Sequence, residues 1–446
     1  MSQPVIIVGN GVSGFACAAR LAENEVDVTM IGPGLPHDRP PLSKRAIRTG
    51  RVPYLADGDK LAAAGIRHID GRVTDTDLDT RRLTVTPTDG GEPLELDAPQ
   101  LVWATGFAYP FPPVPGIDTL AHQNATADGL LALCAGVAEP GRRVIVIGAG
   151  LIGTETAATL AVMGHQVTLV DMVDRPLARF QPSVTDAALA TLDALEVTFL
   201  GDCRIDRATR DGDTVVVQTS THGTLVADVV VTAAGFRTSL PAALAPDARA
   251  LMIPVDEALR VLGYDNLWAC GDCITFPHPR FGRISIPHWD HALHSGRHAA
   301  DSVMGSNEPY ARDPYYFSDI GPLRIQQVGL ASAVAEWRDE DGLSVGRDDD
   351  GRVAAVLFLN APARLAEARA LLASQTTPRQ RNASMSVRVI VDVDSCIGSG
   401  ECVAIDAAAI EIDDTGCARM LIDERDEDRA QRLCRSCPVG ALSIEV

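Results

Sequence analysis

Nowhere in the 446 residues does an apolar run approach the ~18 consecutive positions that a membrane-spanning helix needs. The start, Met1-Ser2-Gln3-Pro4, has no basic segment and runs directly into Val5-Ile6-Ile7-Val8, which is not the build of a secretory leader. Lysine is almost missing: Lys44 and Lys60 stand alone, so arginine carries nearly all the positive charge. That charge is outweighed, with 39 Lys and Arg against 59 Asp and Glu and a net charge of −20. A field of that sign repels phosphate backbones and anionic lipid surfaces and favours basic protein partners. These absences exclude membrane and nucleic acid from the expected partners and make a cytoplasmic location the expectation.

What is present is a globular composition. Apolar residues make up 46% and charged residues 22% of the chain, and the length suits about three or four domains. The 10 cysteines are unevenly spread. Cys396, Cys402, Cys417, Cys434 and Cys437 crowd the C-terminal end, whereas Cys17, Cys134, Cys203, Cys270 and Cys273 are scattered over the rest. In an intracellular chain this distribution favours metal ligation or free thiols over a disulfide framework.

The first 380 or so residues alternate short β-branched runs with alanine-rich helical stretches, the pattern of doubly wound α/β domains. One unit recurs. Val5-Ile6-Ile7-Val8 leads into Gly9-Asn10-Gly11-Val12-Ser13-Gly14, and Val144-Ile145-Val146-Ile147 leads into Gly148-Ala149-Gly150-Leu151-Ile152-Gly153. Each G-x-G-x-x-G follows a strand and opens a helix. Its first glycine makes the turn, the second lets backbone N–H groups approach a pyrophosphate, and the third allows close packing. Asp171 closes the second strand of the second unit, where an acid meets a ribose 2′-hydroxyl and repels a 2′-phosphate, so NADH is expected rather than NADPH. The first unit lacks that acid: Ile31 is followed by Gly32-Pro33-Gly34.

With further motifs the chain resembles the FAD-dependent, NADH-linked ferredoxin reductases that serve bacterial oxygenases, within the glutathione-reductase-like flavoproteins. The motifs are Asp38-Arg39-Pro40-Pro41-Leu42-Ser43-Lys44, Ala104-Thr105-Gly106, Leu267-Trp268-Ala269-Cys270-Gly271-Asp272, His288-Trp289 and Pro314-Tyr315-Tyr316-Phe317-Ser318-Asp319. The resemblance implies FAD contacts from Gly9, Gly11, Ser13, Gly14, Arg39, Lys44, Val73, Thr105, Gly106, Gly271, Asp272, His288 and Trp289. It implies NADH contacts from Gly148, Gly150, Leu151, Ile152, Gly153, Glu155 and Asp171, and the candidate cofactor set also includes Gly235. By the same resemblance Lys44 and Glu155 are the polar pair expected to meet near the flavin N5 and the nicotinamide, which makes both the candidate catalytic residues, with a structural salt bridge as the alternative. The redox cysteine pair of disulfide reductases has no counterpart after the first unit. Cys270 and Cys273 flank the Gly-Asp of a flavin motif and are read as structural.

The C-terminal end offers another electron exit. Cys396-Ile397-Gly398-Ser399-Gly400-Glu401-Cys402 is a glycine-rich C-x5-C loop, and Cys437-Pro438 lies far downstream. Thiolates in that arrangement suit an iron–sulfur cubane. The middle position is Ser399, so three ligands, Cys396, Cys402 and Cys437, predict [3Fe–4S]. Cys434 or Cys417 as a fourth ligand would make [4Fe–4S], and Cys434-Arg435-Ser436-Cys437 leaves zinc as a lesser alternative. Residues 387–446 resemble the small single-cluster ferredoxins, with 13 acidic against 6 basic side chains.

The expected architecture is therefore α/β: two Rossmann-like, glutathione-reductase-like nucleotide-binding domains, a small α+β reductase domain and an α+β ferredoxin-like domain. Expected bounds are 1–107 with 235–314 for FAD, 108–234 for NAD, 315–377 for the small reductase domain, 378–386 for a linker and 387–446 for the ferredoxin. The expected function is a natural reductase–ferredoxin fusion that passes electrons from NADH through FAD to the cluster. By resemblance its external acceptor is a haem-thiolate monooxygenase with a basic docking face. An NADH oxidase or quinone reductase with an accessory cluster, or a redox-sensing binding module, are the competing readings. The sequence does not set the oligomeric state.

Overall fold

The computed structural model describes residues 3–238, 240–241, 244, 252–374, 386–393, 401–406, 409–413, 417–422, 424–426, 430, 433–434 and 441–445. The expected linker lies almost wholly outside the described residues, as do Cys396 and Cys437.

Runs of Val and Ile make strands buried on both faces, which suits parallel sheets covered by helices. In the first sheet five parallel strands lie in the order Leu267–Ala269, Gln100–Trp103, Val5–Val8, Val28–Ile31 and Ile66–Ile69. Val5 and Ile7 at its centre are fully buried, and each such side chain contributes about 1.5–3 kcal/mol. The second sheet repeats the design, also with five parallel strands, in the order Thr198–Leu200, Gln166–Val170, Arg143–Ile147, Val229–Thr232 and Ala121–His122. In both sheets the strand that feeds a glycine loop is the middle one, so the loop emerges at the C-terminal edge of its sheet. That edge is where open α/β sheets bind ligands.

A third sheet is antiparallel, running Tyr315–Ile320, Leu323–Gly329, Val353–Leu359, Leu343–Arg347, Glu336–Glu340. The helix Leu365–Ala373 covers it through Ala368 and Leu372. The helix Trp289–Val303 packs against Val12–Ala22 so closely that a Cβ on Gly296 would lie 2.2 Å from the Ser13 carbonyl oxygen.

Near the C-terminal end, Ser386–Val391 pairs antiparallel with both Leu442–Glu445 and Glu424–Asp426. Ile410–Ile412 pairs with Ala418–Met420, and Glu401–Asp406 is helical. Val389, Cys402, Ile410, Ala418, Leu433 and Leu442 form this unit's own core. Among the described residues no helix is long and apolar enough to cross a membrane.

Candidate functional site

The two glycine loops show three separate constraints. Gly9 and Gly148 have φ of 112° and 104°, a region that costs any other residue dearly. Gly14 and Gly153 are packing contacts: a Cβ there would lie 1.9 and 1.8 Å from the carbonyl oxygens of Gly9 and Gly148. Gly11 and Gly150 differ, because a Cβ on either would meet no protein atom within 4 Å. Both border a single cavity of about 4540 Å³. Their backbone is thus bare toward the cavity, at the N-termini of Val12–Ala22 and Leu151–Val162, the geometry that receives a pyrophosphate.

Of the residues named from the sequence, Gly9, Gly11, Ser13, Arg39, Lys44, Val73, Thr105, Gly106, Asp272, His288 and Trp289 border that cavity on the first unit's side. Gly148, Gly150, Leu151, Ile152, Glu155, Asp171 and Gly235 border it on the second. Gly14, Gly153 and Gly271 do not border it and act in packing. Gly271, with φ of 82°, sits against Ser13, where a Cβ would lie 2.4 Å from the hydroxyl oxygen, and its N–H donates to Ser295 Oγ at 2.9 Å.

The flavin motifs fit FAD on a direct observation. Among the described residues Asp272 Oδ1, which is buried, has no hydrogen-bond partner, and burial pushes the carboxyl up to about 6 against the opposing Arg39 guanidinium. An orphaned buried acceptor bordering a cavity is a group waiting for a donor, which ribityl hydroxyls supply. At the other end, the ladder of Gly71–Asp77 shifts register between Val73 and Asp75. A bulge of this kind frees backbone groups from pairing, as a backbone contact to adenine at Val73 requires. His288 Nε2 lies 3.1 Å from the Phe317 carbonyl oxygen and 3.2 Å from its nitrogen, and burial holds the imidazole below its usual range. The Trp289 indole donates to Asp38 at 2.8 Å.

Lys44 and Glu155 meet as the resemblance implies. Lys44 Nζ is 2.7 Å from Glu155 Oε1, between the first unit's Asp38–Lys44 segment and the helix of the second. Sequence reasoning singled out neither of the two serines that complete this contact. Ser43 Oγ donates to Glu155 Oε2 and Ser318 Oγ to Oε1, both at 2.5 Å. Glu155, Ser43 and Ser318 are 5%, 4% and 2% exposed, so the carboxylate is satisfied by three protein donors from two parts of the fold, the Asp38–Lys44 segment and the strand Tyr315–Ile320. Both serines lie inside motifs quoted above, but only the folded chain brings them together. Thr159 Oγ1 also donates to the Ser43 carbonyl oxygen at 2.9 Å, pinning that segment to the helix.

On the NADH side, Asp171 Oδ2 accepts the Ala149 N–H of the glycine loop at 2.5 Å, and Oδ1 receives the Val173 N–H at 3.3 Å. The carboxylate is therefore held at the cavity edge beside the loop. Arg175 is engaged with Asp186. Cys270 and Cys273 are fully buried, and burial pushes both thiols up, Cys273 to about 12. They carry no thiolate at neutral pH, in keeping with a structural role.

Cys402 sits at 6% exposure in the C-terminal core, with Cys434 partly buried against the same core. Cys417 Sγ faces the Val393 carbonyl oxygen at 3.7 Å. A buried sulfur donor in a small cysteine-rich unit fits a thiolate-bound cluster. Among the described residues no group of three or more His, Cys, Asp or Glu is arranged to hold a metal ion, and Cys396 and Cys437 lie outside them.

Comparison with known proteins agrees with this arrangement. A family model described as "Pyridine nucleotide-disulphide oxidoreductase" matches residues 3–296, and one described as "4Fe-4S single cluster domain" matches residues 389–444. The chain is 31% identical over 410 residues to the chlorobenzene dioxygenase ferredoxin reductase component of Cupriavidus sp. (strain PS12), covering 83% of this chain and 94% of that one. It is 29% identical over 352 residues to rhodocoxin reductase of Rhodococcus erythropolis, covering 74% and 78%. The crystal structure of the ferredoxin reductase for the CYP199A2 system from Rhodopseudomonas palustris superposes with a TM-score of 0.72 at 27% identity, over 80% of this chain and 91% of that one. The chain belongs to the pyridine nucleotide-disulphide oxidoreductase family, in its branch of FAD-dependent NADH:ferredoxin reductases, and is joined to a single-cluster iron–sulfur domain.

Proposed function

We propose that this chain takes hydride from NADH and sends the electrons, through FAD, to its own C-terminal iron–sulfur cluster and then to an external acceptor protein. The observation that carries the reading is the Lys44–Glu155 contact of 2.7 Å between two phosphate cradles that border one cavity, in a chain that also contains a cluster domain. When bound, FAD supplies the conversion of a two-electron donor into single electrons, and the protein's part is binding, orientation and charge.

The bare backbone at Gly11 and Gly150 holds the two pyrophosphates. Asp171 accepts from the ribose of NADH and repels a 2′-phosphate. Glu155, fixed by Ser43 and Ser318, sets where the Lys44 ammonium stands. A cation held in that place favours negative charge arriving on the ring side and needs no reorganisation when it arrives. His288 braces the strand Tyr315–Ile320 against the flavin motif through the Phe317 backbone.

On this reading residues 1–107 with 235–314 hold FAD, 108–234 hold NADH, 315–377 close the flavin side, and 378–386 tether residues 387–446. Cys396, Cys402 and Cys437 would hold a [3Fe–4S] cluster, since Ser399 stands where a fourth thiolate would complete the loop. Sulfide and iron analysis with a paramagnetic-resonance spectrum distinguishes it from [4Fe–4S]. The acceptor is a haem-thiolate monooxygenase with a basic face, in the cytoplasm. The test is direct: this chain, NADH and a haem-thiolate protein under carbon monoxide, with no separate ferredoxin, should produce the ferrous–carbonyl band. Absence of the band until a separate ferredoxin is added contradicts the proposal.

A further inference from the structure

In a βαβ nucleotide unit, the acid that holds the ribose ends the second strand. The first unit has Gly32-Pro33-Gly34 there instead, and an acid at the first of these positions would have to displace the Asn10 side chain. A Cβ on Gly32 would lie 2.4 Å from Asn10 Oδ1 and Cγ. Asn10 Nδ2 meanwhile donates to the Gly34 carbonyl oxygen at 2.7 Å and holds the turn in place.

The neighbouring strand provides a carboxylate at the same height. Ile31 pairs with Ile69 in parallel register, and the Gly32 N–H donates to the Ile69 carbonyl oxygen at 3.1 Å. Asp70 therefore leaves its strand level with Gly32. Its Oδ1 takes two donors, the Gly34 N–H at 2.9 Å and the Thr88 hydroxyl at 2.5 Å. Among the described residues none donates to Oδ2, and Asp70 borders the same cavity as Gly11. Although burial pushes its carboxyl up, the Thr88 hydroxyl and the Gly34 N–H outweigh that and hold it below the usual range, so it is an ionised acceptor at neutral pH.

Resting on the FAD-binding reading, we propose that Asp70 Oδ2 accepts from the adenosine ribose of FAD and so replaces the acid missing after Ile31. Orienting that carboxylate is then the second purpose of the Gly34 and Thr88 contacts.

The test uses the full chain stripped of flavin and titrated, by flavin fluorescence, with FAD and with its analogue lacking the adenosine 2′-hydroxyl. The natural chain should bind FAD about tenfold more tightly than the analogue, the scale of one hydrogen bond to a charged group. Asp70→Asn should lose about tenfold for FAD and bind both flavins within about twofold to threefold of each other, a non-additivity that a brace for the turn would not produce. Asp75→Asn, at another acid bordering the cavity, should keep the discrimination. Equal weakening of both flavins by Asp70→Asn, no discrimination by the natural chain, or loss of discrimination in Asp75→Asn would each overturn the proposal. Failure of the natural chain to bind either flavin would instead overturn the reading beneath it.

Discussion

Replacing Ser318 by alanine removes one of three donors from a carboxylate that has almost no access to water. Ser318 Oγ and Lys44 Nζ share Oε1 of Glu155 at 2.5 and 2.7 Å, and Ser43 takes Oε2 at 2.5 Å. A hydrogen bond to a charged group contributes about 1.5–3 kcal/mol. With Glu155 only 5% exposed, little of that is recovered from solvent. If the bond acts by holding Lys44 in place, the loss falls on the rate of flavin reduction and leaves the dinucleotide bound. Stopped-flow mixing of the anaerobic holoprotein with NADH should show Ser318→Ala about tenfold slower, with half-saturation changed less than about threefold. Ser318→Thr, which retains the hydroxyl, should restore most of the rate. In a Glu155→Gln background, where the charge is already gone, the same alanine should cost less than about threefold, because residues in one network couple. An equal factor in both backgrounds would show that Ser318 does not act through Glu155 and would refute the reasoning.

Other consequences can be measured on the same protein. On the proposed ligand set Cys402→Ser removes a thiolate, so flavin reduction by NADH should persist at close to the natural rate while NADH-dependent reduction of a haem-thiolate protein falls at least about tenfold. On the proposed role of Asp171, Asp171→Ala should shrink the preference for NADH over NADPH by roughly tenfold in kcat/KM. In the flavin-free chain Asp272 is pushed up to about 6 by burial. The native state then binds its proton more tightly than the unfolded chain, so stability falls as pH rises from about 4 to about 6, by on the order of 3 kcal/mol. Denaturant midpoints across that range should show the slope, and Asp272→Asn should flatten it.

The parts of this fold that were legible in the sequence are those whose physics is local. A β-branched run, a turn glycine, an open glycine and a packing glycine lie within ten residues of one another, and each behaves in the structure as its position predicts. The strand and helix order of both units followed from the same patterns. The Lys44–Glu155 pair was legible only through the resemblance, since 111 positions separate the two residues and nothing in their spacing brings them together. Ser43, Ser318 and Asp70 were illegible for a related reason. Each acquires its role from a neighbour delivered by tertiary structure: the helix Leu151–Val162 for the serines, and the register between Val28–Ile31 and Ile66–Ile69 for the aspartate. The gap after Ile31 was visible, whereas what fills it depends on the adjacent strand.

The account rests on electrons passing within one chain from a flavin to a cluster. Anaerobic titration of the purified full-length holoprotein with NADH, followed by absorption and paramagnetic resonance against measured flavin, iron and sulfide, tests this most directly. The predicted result is bleaching of the flavin together with a change of the cluster to its reduced signature, both complete at the number of electrons the two centres can hold. A flavin that bleaches fully while the cluster keeps its oxidised spectrum, with NADH in excess, would contradict the account.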